Sequence, residues 1–180
     1  MEEKEVKIER IKDCVAYLMK ELDIKYSQDN EKTPYRIASM LVNELFVNVN
    51  NSTIDKLHEE MTLFKAPNSY PIEVVGIKFN STCEHHWLPF SGYADIRYIP
   101  DYNIIGLSKI PRVVKYFSKK PQVQERLTQE IGDFLVETLQ PKFLSVVLRD
   151  VRHACVEVRG IESECTTDTE FEYKKREEFA

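Results

Sequence analysis

The sequence predicts an α+β domain built on an antiparallel sheet, and three observations predict it. Apolar residues recur at helical spacing through the first third of the chain. Two segments rich in β-branched and aromatic residues follow as a pair beyond Pro71. Two more helical stripes then lead into a second pair of strand-like segments. Strands that come in pairs, with helices between the pairs, give antiparallel neighbours rather than the alternating units of a parallel sheet. No repeat, low-complexity segment or linker breaks the 180 residues. The chain therefore reads as one compact domain overall, with an N-terminal helical region at 1–70 and a sheet-bearing region at 71–180.

Residues 4–24 form the first predicted helix, with Ile8, Ile11, Val15, Leu18 and Leu22 on one face and Cys14 as a small buried member of it. A polar loop leads to Thr33 as N-cap and Pro34 at the first helical position, opening a helix through Phe46. The segment 54–64 reads as another short helix. Residues 72–82 and 92–100 read as strands, joined through Cys83-Glu84-His85-His86-Trp87. A helix starts near Ser108, with Pro111 tolerated in its first turn. The next starts near Pro121 and carries Val123, Leu127, Ile131, Phe134, Leu135 and Leu139 as a stripe. Residues 143–151 and 153–160 read as the last two strands, and the segment beyond them as a polar, charged tail.

Composition narrows the function. The formal net charge is −5, which excludes a nonspecific nucleic-acid binder but not an anionic small molecule met by a local group of Arg and Lys. No apolar run reaches the ~20 residues needed to span a bilayer. The charged start, MEEKEVKIERIKD, lacks a signal peptide's apolar centre, so the expected location is cytoplasmic. In that setting the four cysteines point to metal or catalysis before disulfides.

Two segments carry the chemistry. Cys83 and His86, separated by two residues, can close on one ion only at a turn or bulge, because i and i+3 point to opposite faces of a flat strand. On the expected strand 153–160, His153, Cys155, Glu157 and Arg159 share a face opposite Ala154, Val156 and Val158. Cys83, His86 and Cys155 are then candidate zinc ligands. Three protein ligands leave the open fourth position of a catalytic site, whereas adding Cys165 would make the site closed and structural.

Beyond these residues, the segments TPYRIASM (33–40), CEHH (83–86), YIP (98–100), GLSK (106–109), RVV (from Arg112) and PQVQERLT (121–128), with Gly92, His153, Cys155, Arg159 and Gly160, resemble the GTP cyclohydrolase I family in family order. The resemblance implies the tunnelling fold: an antiparallel four-stranded sheet with two helices on one face, preceded by N-terminal helices. It implies a zinc-dependent enzyme that hydrolyses GTP at C8, releases formate and forms 7,8-dihydroneopterin triphosphate. It further implies a homo-oligomer, a decamer of two pentamers. In the implied site, Cys83, His86 and Cys155 hold Zn2+, His85 lines the metal and His153 is the catalytic acid and base. Gln124 and Glu125 recognise the purine, and Ser108, Lys109, Arg112 and Arg159, with Arg36, hold the triphosphate.

The sequence departs from the family's pattern at Ser39, where a lysine usually stands, and in the acidic segment that holds Glu162, Glu164, Asp168, Glu170 and Glu172. Two other readings compete. One is a tunnelling-fold relative that only opens the ring or acts on another purine or pterin. The other is a noncatalytic assembly protein stabilised by zinc.

Overall fold

The computed structural model describes residues 2–49 and 53–176. They divide into two compact units, Met1–Val47 and Asn48–Ala180.

In the first unit, α1 (Glu2–Glu21) lies beside α2 (Thr33–Met40), which passes into a π-helical turn at Leu41–Leu45. Ile8, Ala38 and Val42 form a small core with Ile11 against it. The helix expected through Phe46 is thus split after Met40. Thr33 is the first residue of α2 rather than its cap, because Lys32 holds the capping position and makes no side-chain capping bond. The apolar face of α1 also differs from expectation. Ile8 and Met19 are buried, while Leu18, Leu22 and Cys14 are exposed. At about 100° per residue, Cys14 falls roughly a third of a turn from the Ile8–Ile11–Val15–Met19 stripe.

The second unit opens with α3 (Ile54–Glu60), shorter than expected because Leu63–Lys65 leaves the helix to become β1. β1 pairs antiparallel with β4 (Asn103–Ile105) in a sheet of two strands. The main sheet holds β2 (Ile72–Cys83), β3 (Pro89–Ile99), β5 (Pro121–Gln122), β6 (Phe143–His153) and β7 (Thr166–Lys174), in the order β5-β2-β3-β6-β7. The four long strands are antiparallel, and the two residues of β5 run parallel to β2 at the edge. This is the predicted antiparallel sheet, but its fourth long strand is not residues 153–160. His153 ends β6, and Ala154–Glu157 turns as the short helix α6. The fourth strand comes from the segment read as a tail. In β7, Thr169, Phe171 and Tyr173 turn inward while Asp168, Glu170 and Glu172 face out. Its charged residues, Asp168, Glu170, Glu172 and Lys174, therefore mark the outward positions of a strand.

Two helices, α4 (Lys109–Ser118) and α5 (Gln124–Leu139), cover one face of this sheet, α4 packing on β2 and α5 on β6 and β7. Their stripes meet the inward residues of the strands. Val113, Val114, Leu127, Ile131, Leu135 and Leu148 are at most 1% exposed, each such side chain contributing about 1.5–3 kcal/mol of burial. α5 approaches β7 closely because Gly132 leaves room for the Phe171 ring, which any Cβ there would overlap. No described helix is long and apolar enough to cross a membrane.

Each of two strands contains a bulge that changes which face its later residues take. In β2 the register against β3 shifts between Val74 and Ile77, around Gly76 at φ +71°. Ile72 and Val74 face the core before it, and Ile77, Phe79 and Cys83 after it. In β6 the register shifts against both neighbours next to Asp150, at φ 53°. Leu144, Val146 and Leu148 point inward before it, and Val151 after it. An extra residue reverses the alternation, so both Cys83 and His153 are delivered to the helix side. Gly92 of β3 is needed at the second bulge, since a Cβ there would lie 2.7 Å from the Arg149 carbonyl oxygen.

Candidate active site

Cys83 is the last residue of β2, and the link to β3 is a tight turn. The Cys83 N–H donates to the Leu88 carbonyl at 2.8 Å and the Trp87 N–H to the Cys83 carbonyl at 2.8 Å, with Trp87 left-handed at φ 56°. The turn folds His85 and His86 back toward the Cys83 sulfur, at 3.7 and 4.0 Å from their Nδ1 atoms. It is also tied from outside. Arg126 on α5 donates to the Glu84 carboxylate at 2.5 Å and to Gln122 Oε1 at 2.8 Å, and Glu84 N–H bonds to the Gln122 carbonyl. The Arg126 hydrogen bond holds the Glu84 carboxyl below its ordinary pKa. Nothing in the sequence marks Glu84 as the anchor of the turn, since its partner Arg126 lies 42 residues away.

Cys155 arrives from α6. The ligand atoms of Cys83, His86 and Cys155 all lie within 4.8 Å of one another, against ligand-to-ligand spacings of roughly 3.3–3.8 Å in tetrahedral zinc. The grouping expected from the sequence is therefore present, although the strand expected to present Cys155 is a helical turn. Burial, and then the facing Cys83 sulfur, push the Cys155 thiol above its ordinary pKa. A cation bound there would reverse this preference of the Cys155 thiol. The residues present thus fit a thiolate- and imidazole-binding metal.

His86 shows what metal entry requires. Its Nε2 lies 2.9 Å from an Arg159 guanidinium nitrogen. Guanidinium only donates, so Nε2 accepts. Ligation through Nε2 displaces Arg159. Ligation through Nδ1 puts the proton on Nε2, which repels Arg159. By either route a metal held by His86 would release this guanidinium.

His153 is half-buried, stacked on the Phe90 ring at 4.9 Å and 10°. Its Nε2 lies 2.8 Å from Gln124 Oε1. Gln124 is 3% exposed, and its amide orientation is settled by β7. Gln124 Nε2 donates to the Thr167 carbonyl at 3.2 Å, and Oε1 accepts from the Thr167 hydroxyl at 2.6 Å. A carbonyl cannot donate, so Oε1 faces His153 and His153 Nε2 carries the hydrogen. Nδ1 is left to accept a proton. Burial lowers the His153 pKa, with Glu125 and Glu157 opposing it. The side-chain amide of Gln124 thus bonds His153 and β7, and the purine contact the resemblance implies for it rests on the resemblance. Glu125, next to it, is exposed. Thr167 and Thr169 were missed in the sequence because β7 was.

Ser108 precedes α4 at its N-cap, Lys109 and Arg112 occupy its first turn, and Arg112 meets Glu60 at 3.5 Å. Arg36 lies exposed on α2 of the first unit, where Ser39 accepts a bond from Asn43 at 3.2 Å. Their membership of a common site with the Cys83 group rests on the resemblance. Glu157 pairs with Arg152 at 2.6 Å, and Cys165 is exposed.

The chain is similar to known proteins. The chain is 44% identical over 156 residues to GTP cyclohydrolase 1 of Aquifex aeolicus strain VF5, covering 86% of this chain and 80% of that protein. It is 41% identical over 157 residues to GTP cyclohydrolase 1 of Wigglesworthia glossinidia brevipalpis, covering 86% and 70%. Among solved structures, an archaeosine synthase QueF-Like in the apo form superposes with a TM-score of 0.44 at 15% identity, over 59% of this chain and 95% of that one. The family profile described as GTP cyclohydrolase I matches residues 11–178, and the chain belongs to the GTP cyclohydrolase I family.

Proposed function

We propose that this chain hydrolyses GTP at C8 of the guanine, releases formate and recloses the product as 7,8-dihydroneopterin triphosphate, with zinc at Cys83, His86 and Cys155. The observation that carries the reading is the convergence of those three ligand atoms within 4.8 Å in a chain of this family. Zinc there supplies a Lewis-acidic centre that makes water nucleophilic near neutral pH. The chain's own residues do the rest. His153, neutral at pH 7 and fixed with Nε2–H toward Gln124, takes and returns a proton at Nδ1, and so protonates the ring nitrogen beside C8. His85 lines the metal. Gln124 and Glu125 recognise the purine, Glu125 accepting from the guanine N–H groups, and Gln124 also sets His153. Ser108, Lys109, Arg112, Arg159 and Arg36 hold the triphosphate, the first three where a helix N-terminus adds its own positive end. The enzyme works as a cytoplasmic homo-oligomer, a decamer of two pentamers.

The test is to incubate zinc-loaded protein with GTP and follow formate and near-ultraviolet pterin absorbance together. Both signals, stopped by a chelator, are the expected result. Formate without pterin would make this a ring-opening enzyme. Neither signal, with zinc bound, would remove GTP as substrate and direct the test to other purine nucleotides.

A further inference from the structure

The bulges of β2 and β6 set which faces Cys83 and His153 take. On the outer face of the sheet, one carboxylate reaches both. Asp95 sits on β3 between β2 and β6. Its Oδ1 accepts the Gly76 N–H of the β2 bulge at 2.6 Å. Its Oδ2 accepts from Arg149 Nε, beside the β6 bulge, at 2.6 Å. Arg149 is held in turn. It donates to the Asp150 carboxylate at 2.6 Å and lies 5.1 Å from the centre of the Tyr93 ring. The unpaired Asp150 N–H of the bulge donates to Asp168 of β7 at 2.8 Å.

We infer that the Asp95–Arg149 pair is a positioning device for the metal and proton-transfer residues, acting through the two bulges. β3 itself alternates without interruption from Phe90 to Tyr98, so it serves as the ruler against which both neighbours carry one extra residue. If either bulge slips, the strand beyond it shifts by one residue and its side chains exchange faces. Slippage in β2 turns Cys83 away from the helices; slippage in β6 turns His153 away from Phe90 and Gln124. Asp95 prevents both, because its two oxygens bind one bulge each. The acidic Asp168 belongs to the same assembly, which gives part of the unusual acidic segment a use. Neither Asp95 nor Arg149 contacts the ligand atoms, so both are positioning residues.

The inference rests on the metal reading above, and the experiment separates the two. Zinc affinity is measured by chelator competition, and the thiolate-to-metal charge-transfer band is recorded with cobalt(II) in place of zinc. Wild type, Asp95→Ala and Arg97→Ala are compared, each checked for folding by circular dichroism. Arg97→Ala is the control. It removes a cross-strand ion pair with Glu73 at 3.2 Å on the same two strands, away from the ligands' side of the bulge. Asp95→Ala should weaken zinc by about tenfold or more and diminish the cobalt band, while Arg97→Ala leaves both unchanged. Asp95→Asn, which keeps an acceptor for Gly76 but loses the charge facing Arg149, should fall between. Wild-type zinc affinity and cobalt spectrum in Asp95→Ala would overturn the inference alone, as would equal losses in Arg97→Ala. A wild-type chain that takes up no zinc would overturn the metal reading and this one with it. If Asp95→Ala does not fold, Arg149→Met and Asp95→Asn carry the same comparison.

Discussion

His153 is useful because three other residues decide where its proton sits. Thr167 orients the Gln124 amide, Gln124 takes the Nε2 hydrogen, and Phe90 fixes the ring plane. His153→Ala should therefore keep one zinc per chain and lose formate release by at least about 100-fold, the usual range for a proton-transfer group; metal content and a formate assay decide it. Arg159 gives a second expectation. Since metal entry frees it from His86, zinc should tighten inorganic triphosphate binding in the wild type and have a smaller effect in Arg159→Ala, as read by titration calorimetry. Asp95 sets a pH dependence. Burial opposes its charge but is outweighed by Arg149 and the Gly76 N–H, so its carboxyl lies below the ordinary 3.8. The unfolded chain then takes up this proton first on acidification. The stabilisation is complete at neutral pH, begins to fade as pH nears 3.8 from above, and is lost as pH falls through the folded value. Asp95→Asn should flatten that acid limb in pH-dependent denaturation. At this scale the grouping of Cys83, His86 and Cys155 was legible, because the CEHH turn and Cys155 stand out by residue type. Asp95, Arg149 and Glu84 were not, because a partly exposed ion pair looks the same in sequence wherever its partner lies.

At the scale of elements, the sequence was read correctly where one face of a segment is apolar and the other is not. β2, β3 and α5 fall in that class. The region 153–160 misled because its alternation of polar and apolar residues fits a strand, while the chain there makes a four-residue helical turn that carries Cys155 to Cys83. β7 was hidden for the opposite reason, since its outward acidic residues outnumber its aromatic ones. Bulges leave only a glycine or an Asp as trace, and neither announces the reversal of faces that follows. Gly92 offers a direct test of how tightly β3 and the β6 bulge fit. Gly92→Ala places a Cβ 2.7 Å from the Arg149 carbonyl oxygen and 2.9 Å from a Val151 methyl. Overpacking of this kind should cost about 1–3 kcal/mol, visible as a lower denaturation midpoint with an unchanged slope.

For the molecule as a whole, the metal ligands, His153 and the large apolar core all lie in the unit Asn48–Ala180, and the first unit has a core of its own. Deleting residues 1–47 should leave a folded protein that still binds one zinc; circular dichroism and metal content check both halves. The net charge of −5 opposes a triphosphate at long range, so the few cations assigned to it must act locally, and rising salt should weaken triphosphate binding by screening them. Thr167 and Thr169 hold Gln124 from β7, and this divides the proposed site between two parts of the sheet. The proposed metal ligands all precede residue 156, whereas Thr167 and Thr169 lie more than ten positions later on the edge strand. Fraying of that edge would leave the proposed cradle in place while His153 loses its set tautomer, so holding an ion and using it depend on different strands.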